Sequence, residues 1–160
     1  MLNSHIWKLL EAVPDPEIPV LSVIDLGVIR KIEELEEKVI ITITPTYSGC
    51  PAMNQFEADI TDHLSKHGYQ SIEIKTTYNP AWTTDWLTDE AKLKLEKYGI
   101  APPQEKTTDK SFLLGESPTV KCPQCKSTNT KLVSQFGSTA CKALYQCKDC
   151  KEPFDYFKCL

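Results

Sequence analysis

Residues 120–160 read VKCPQCKSTNTKLVSQFGSTACKALYQCKDCKEPFDYFKCL, and the two Cys-x-x-Cys pairs in them, Cys122/Cys125 and Cys147/Cys150, decide how the C-terminal part folds. A Cys-x-x-Cys turn points both thiolates at one centre, and two such turns complete the tetrahedral shell of a structural zinc. The 21 residues between the pairs exceed the usual zinc spacing slightly. Two strands expected at Lys131–Phe136 and Ala143–Gln146 absorb the excess. So short a segment cannot bury enough apolar surface to fold alone, so a metal must supply the folding energy. Iron or an iron–sulfur cluster takes the same four thiolates, and spacing leaves it as the alternative to zinc. A thioredoxin-type redox pair would need a βαβ setting, which is absent. A closed four-thiolate shell offers no open position for catalysis. Cys141 and Cys159 fit small buried residues, with Cys141 close enough to Cys147 to compete as a ligand.

Upstream of the ribbon the chain alternates between helical and extended patterns. His5–Val13 carries Ile6, Leu9, Leu10 and Val13 on one helical face, and the prolines of PDPEIP then force an extended loop. Val28–Glu33 and Lys38–Thr44 alternate as strands across a charged turn. After the loop PTYSGC, Pro51 opens a helix in which Met53, Phe56, Ile60 and Leu64 form one stripe, stopped by Gly68. Ser71–Thr77 is a third strand. Thr88 caps a further helix, Asp89–Tyr98, which Gly99 ends. The order α-β-β-α-β predicts an α+β fold, a small helix-covered sheet over residues 1–100. A Pro-rich polar linker over 101–118 and the four-cysteine β ribbon over 119–160 follow. No long repeat is evident.

The charge is uneven. Residues 119–160 hold seven Lys against three acidic residues, and the whole chain has a net charge of −4, so the remainder carries −8. An acidic body argues against nucleic-acid binding, and the ribbon's lysines are spread rather than clustered. No apolar run is long enough to span a membrane, and the N-terminus lacks a signal-peptide pattern, so a cytoplasmic protein is expected. Seven cysteines, four of them in two pairs, suit a reducing compartment and metal binding.

Outside the ribbon, Cys50 precedes the second helix, where the dipole and free amides favour a thiolate. It reads equally as a working thiol, a transient metal ligand, or a buried residue in a tight Gly-Cys-Pro turn. Asp15, Glu17 and Asp25 form an acidic group on neighbouring loops, for which turn chemistry is the commoner use. His63 and His67 share a helix face and are expected to face solvent. Trp82 and Trp86 suit core packing, with an exposed partner patch as the alternative. There is no catalytic base for Cys50, no nucleotide motif and no flavin fingerprint, which suits an accessory role better than an enzyme.

The blocks DPEIPVLSVIDLGVI and PTYSGCPAM resemble the small iron–sulfur maturation domain of SufT and related cytosolic assembly factors. With NPAWTTDW and FGSTACKALYQCKDCKEPFDYFKC added, nearly the whole chain resembles the PaaD (PaaJ) family, encoded with the bacterial phenylacetyl-CoA epoxidase. The resemblance implies a partner system that makes a ring 1,2-epoxide of phenylacetyl-CoA with a di-iron oxygenase and a flavin and iron–sulfur reductase. It also implies a role in maturing iron or a cluster in one of those components. On this resemblance Cys50 matches the family's GCP cysteine and would handle a transient iron or iron–sulfur cluster, with Asp15, Glu17 and Asp25 at the family's acidic positions. The other components of the epoxidase are the implied partners, and homo-oligomerisation stays open. A structural or electron-transfer-linked subunit is the alternative.

Overall fold

The structure, a computed structural model, describes residues 3–46, 49–50, 52–103, 119–139 and 142–157. Two compact units divide between Ala91 and Lys92.

In the first unit, helix α1 (Asn3–Leu10) is followed by strands β1 (Ile29–Glu34) and β2 (Val39–Ile43), helix α2 (Met53–Lys66) and strand β3 (Ile72–Thr76). The order α-β-β-α-β is the predicted one. β2 lies at the centre of the sheet, antiparallel to β1 and parallel to β3. Parallel neighbours need a crossover, and α2 provides it. α1 packs on α2 and β1, and α2 on β3. The stripe Phe56, Ile60 and Leu64 is buried, as are Ile6 and Leu10 of α1 and Val39, Ile41 and Ile43 of β2. Gly68 ends α2 at φ +97°; its N–H bonds the Ser65 carbonyl and that of Tyr69 the Leu64 carbonyl, so two orphan carbonyls of the last turn are satisfied.

α1 stops earlier than predicted. Its last turns loosen into bonds from Ala12 to Leu9 and from Val13 to Leu10, which still bury Val13 ahead of the first proline. The loop then folds back on itself, with Pro14 bridging Ser22.

Helix α3 (Asp89–Tyr98) begins on a Thr88 hydroxyl that accepts from the Ala91 N–H at 3.0 Å. The ribbon sheet has the order β4-β7-β6-β5, with β4 at Ile100–Ala101, β5 at Thr130–Ser134, β6 at Lys142–Cys147 and β7 at Pro153–Phe157. Ile100 and Ala101, expected at the end of the first domain and the start of the linker, instead pair in parallel with Asp155 and Tyr156 of β7. Residues 104–118 of the expected linker lie outside the described residues. β7 has no counterpart among the expected strands; its leading Pro153 occupies the strand position where a missing N–H costs least. The ribbon core gathers Val120, Ala143, Tyr145, Phe154 and Tyr156 around Cys122 and Cys147. Tyr145 stacks on Phe154 at 6.0 Å and meets the edge of Tyr156 at 5.5 Å.

Candidate functional site

Two turns with one geometry build the metal centre. In the first, the Cys122 N–H bonds the Ser127 carbonyl at 2.9 Å; in the second, the Cys147 N–H bonds the Glu152 carbonyl, also at 2.9 Å. Each turn places a lysine four residues after its first cysteine in the left-handed region, Lys126 at φ 64° and Lys151 at φ 67°. The two halves are therefore copies, visible in retrospect as CPQCKS and CKDCKE. Asp149 ties them together. One carboxylate oxygen accepts from the Asn129 side-chain amide at 2.9 Å, the other from the Ser127 hydroxyl, and the Lys148 N–H reaches the Asn129 carbonyl at 2.8 Å. The Ser127 and then the Asn129 bonds hold the Asp149 carboxyl below its ordinary value.

The four sulfurs all lie within 4.8 Å of one another, with Cys122 to Cys150 at 3.8 Å and Cys125 to Cys147 at 3.5 Å. These separations are far too long for disulfides. They match the edge of about 3.8 Å of a tetrahedron with Zn–S near 2.3 Å. The donor set thus fits a four-thiolate cation. Among the described residues it is the one group of three or more potential ligands gathered this closely. The first cysteine of each turn is buried and the second exposed. The Cys150 N–H, followed by that of Asp149, donates to the Cys147 sulfur and brings its thiol down to about 7, against the opposing effect of burial. At Cys150 the Glu152 N–H pulls downward, but burial and the crowded sulfurs of Cys125, Cys147 and Cys122 push the thiol up to about 12. A bound cation would offset the mutual repulsion of four thiolates held this close. Cys141 and Cys159, and the question of their roles, lie outside the described residues.

Cys50 sits on the loop between β2 and α2, after Gly49 at φ 78°. It is 8 % exposed. α2 begins later than predicted, at Met53, whose N–H bonds the Cys50 carbonyl at 3.3 Å. Cys50 precedes the helix, as expected, but stands further from its first turn. Pro51 lies outside the described residues.

Asp15 and Asp25 are buried and serve the turns that carry them. One Asp15 carboxylate oxygen accepts from the Glu17 and Ile18 N–H groups, each at 2.6 Å. Asp25 accepts from the Ser22 N–H at 3.0 Å, and the Ser22 hydroxyl accepts from the Asp25 N–H at 3.1 Å. This reciprocal pair closes the turn before Leu26 and Gly27. Glu17 is half-buried. Cys50, Asp15, Glu17 and Asp25 do not converge as one ligand set.

The tryptophan loop locks onto that same turn. The Trp82 indole N–H bonds the Leu26 carbonyl at 2.8 Å, and a Cβ on Gly27 would lie 2.5 Å from the Trp86 carbonyl oxygen. Gly27 also has φ 68°, so both conformation and space require glycine. Arg30 covers the Trp86 ring at 3.6 Å. Core packing accounts for Trp82, which is buried, whereas Trp86 is half-buried beneath Arg30. His63 departs from expectation. It is half-buried, its ring centroid lies 4.6 Å from that of His67, and His67 Nδ1 hydrogen-bonds the His63 carbonyl oxygen at 2.8 Å.

Comparison with known proteins divides the chain in the same two parts. The family described as iron-sulfur cluster assembly protein matches residues 3–74, and the PaaD zinc beta ribbon domain matches residues 106–158. An Escherichia coli (strain K12) protein, provisionally named as one of the subunits of 1,2-phenylacetyl-CoA epoxidase, is 47 % identical over 98 % of this chain and 92 % of its own length. A protein named Fe-S protein maturation auxiliary factor from Porphyromonas gingivalis (strain ATCC BAA-308 / W83) is 36 % identical over 58 % of this chain and 90 % of its own. The crystal structure of a domain of unknown function, DUF59, from Bacillus anthracis superposes with a TM-score of 0.55 at 30 % identity, covering 58 % of this chain and 90 % of that one. No described helix is long and apolar enough to cross a membrane.

Proposed function

The chain belongs to the PaaD family of 1,2-phenylacetyl-CoA epoxidase components, and from that premise we propose that it is an accessory subunit of such an epoxidase, assisting iron or iron–sulfur cluster maturation in the oxygenase or reductase component. One observation carries this reading: a maturation auxiliary factor aligns over 90 % of its own length with only 58 % of this chain. In this reading a maturation-type N-terminal domain is extended by a linker and a C-terminal ribbon. Iron or a cluster is the cargo, and Cys50 is the residue that receives it. Asp15 and Asp25 act by holding the adjoining turns, because backbone amides occupy their carboxylates.

In this reading Cys122, Cys125, Cys147 and Cys150 hold zinc, which neutralises the four thiolates and fixes the two turns. The ribbon is then a docking element for the other components of the epoxidase. The protein works in the cytoplasm, where thiols stay reduced.

The near-burial of Cys50 favours a second reading, in which the chain is a structural or electron-transfer-linked subunit. Cys50→Ser separates the two. Co-expressed with the other components, it is expected to leave the fold and ribbon zinc intact while lowering the iron content of the purified partners. Partner iron at the wild-type level, with epoxidase activity still dependent on the chain, would reject maturation in favour of the second reading.

A further inference from the structure

The four ribbon cysteines differ in access. Cys122 and Cys147, the first of each turn, are buried, and Cys125 and Cys150, the second, are exposed. Two sulfur contacts cross from one turn to the other. Each joins an exposed cysteine to a buried one, Cys150 to Cys122 at 3.8 Å and Cys125 to Cys147 at 3.5 Å. The turns are also held together away from sulfur. Asp149 accepts from Ser127 and Asn129, and the Lys148 N–H bonds the Asn129 carbonyl at 2.8 Å. A chemical change at the sulfurs therefore leaves these ties between the turns in place.

An oxidant in solution meets the exposed sulfur of each pair first, and an oxidised cysteine is captured by a thiolate in contact with it. Here that contact is the buried sulfur of the opposite turn. The chemistry balances with a peroxide as the oxidant. The exposed thiolate attacks one peroxide oxygen, the O–O bond breaks, hydroxide leaves and a sulfenic acid forms. The buried thiolate then attacks the sulfenic sulfur, the S–O bond breaks, a second hydroxide leaves and the disulfide is made. Each pair gives two electrons to one peroxide. Once both pairs have reacted, no thiolate remains to hold a cation.

We propose that the four-cysteine centre is a reversible oxidation site, at which a peroxide forms the disulfides Cys122–Cys150 and Cys125–Cys147 and frees the bound metal while the ribbon stays folded. These bonds join residues 28 and 22 apart in sequence, so they restrict the unfolded ribbon far more than a bond inside one Cys-x-x-Cys turn. Chelation removes the same metal but leaves no cross-link. The two ways of emptying the site therefore have opposite effects on the fold.

The test treats the full chain, reduced and loaded with zinc, with hydrogen peroxide. Freed zinc is followed with a colorimetric chelator, and disulfides are mapped by mass spectrometry after alkylation and proteolysis. Zinc should be lost completely, with about two peroxides consumed for each ion freed. The linked peptides should be those of Cys122 with Cys150 and Cys125 with Cys147. Amide signals of residues 120–139 and 142–157 should stay dispersed after oxidation and collapse when the reduced chain is treated with EDTA instead. Dithiothreitol with added zinc should restore the starting spectrum. The double variant Cys141→Ser, Cys159→Ser should give the same two bonds. Disulfides within either turn, bonds to Cys50, Cys141 or Cys159, or sulfinic acid in place of disulfide would overturn the proposal. So would zinc that stays bound under peroxide, or a ribbon that unfolds on oxidation.

Discussion

The N-terminal unit and the ribbon both present a small sheet, but different forces close them. Of the largest fully buried side chains among the described residues, all but Phe157 and Leu95 belong to the first unit. Ile6, Leu10, Leu21, Ile41, Ile60 and Leu64 there form an aliphatic core drawn from helices, strands and the loop after Pro19. The ribbon has the rings of Tyr145, Phe154, Tyr156 and Phe157, a few small residues and two buried cysteines in the same role. Its remaining cohesion has to come from the four sulfurs. One region can therefore keep a thiol such as Cys50 free for other work, whereas the other commits its thiols to its own folding.

Removing one ribbon ligand should break this contrast most sharply. Cys122 is fully buried, and Cys122→Ser, or chelation of the metal, should unfold residues 119–157 while residues 3–91 keep their dispersed amide spectrum. Structural zinc sites contribute on the order of 10–16 kcal/mol at neutral pH, more than so small a core can replace. A folded ribbon without metal would show that its aromatic cluster suffices. All three tryptophans, Trp7, Trp82 and Trp86, lie in the first unit, so their fluorescence reports its unfolding separately. The converse variant, Ile60→Ala, leaves a cavity under the centre of α2 and should cost the first unit about 2–5 kcal/mol in urea denaturation. Metal bound at the four cysteines should remain stoichiometric. Loss of the metal in step with that destabilisation would mean that the two units fold as one.

The same contrast explains what can be read before the fold is known. Apolar stripes and caps announce helices, so α2 and α3 are legible, the latter down to its Thr88 cap and Gly99 stop. Thiolate spacing announces the ribbon. Two-residue β4 has no period to detect, and aromatic β7 starts on a proline that reads as a turn. The demand for glycine at position 27 comes from Trp86, 59 residues away, and only the folded loop brings the two together. The turn chemistry expected for Asp15 and Asp25 is legible as residue type, but only the folded loops show which amides they hold. The duplicated turn CPQCKS/CKDCKE is available from the start. Its signal is the lysine after each second cysteine, a position whose left-handed backbone the spacing rule for zinc does not mention.

The smallest expected effect concerns the charged face of the first unit's sheet. The Lys38 hydrogen bond and charge, with a weaker contribution from Lys75, hold the Glu73 carboxyl below its ordinary value of 4.5. Both Lys38 and Glu73 are more than two-fifths exposed, so solvent and salt screen the pair. Because folding depresses this pKa, the pair stabilises the unit above the unfolded value, and the contribution disappears as pH falls through the lower folded value. Lys38→Met should therefore be less stable than wild type at pH 6, should match it once pH drops below the folded pKa of Glu73, and should raise the Glu73 titration midpoint in carboxyl-detected NMR. The difference at pH 6 should shrink further in 1 M salt and stay well below that of Ile60→Ala. A difference rivalling the cavity variant would mean that charge pairs, and not the aliphatic core alone, set this unit apart from the ribbon.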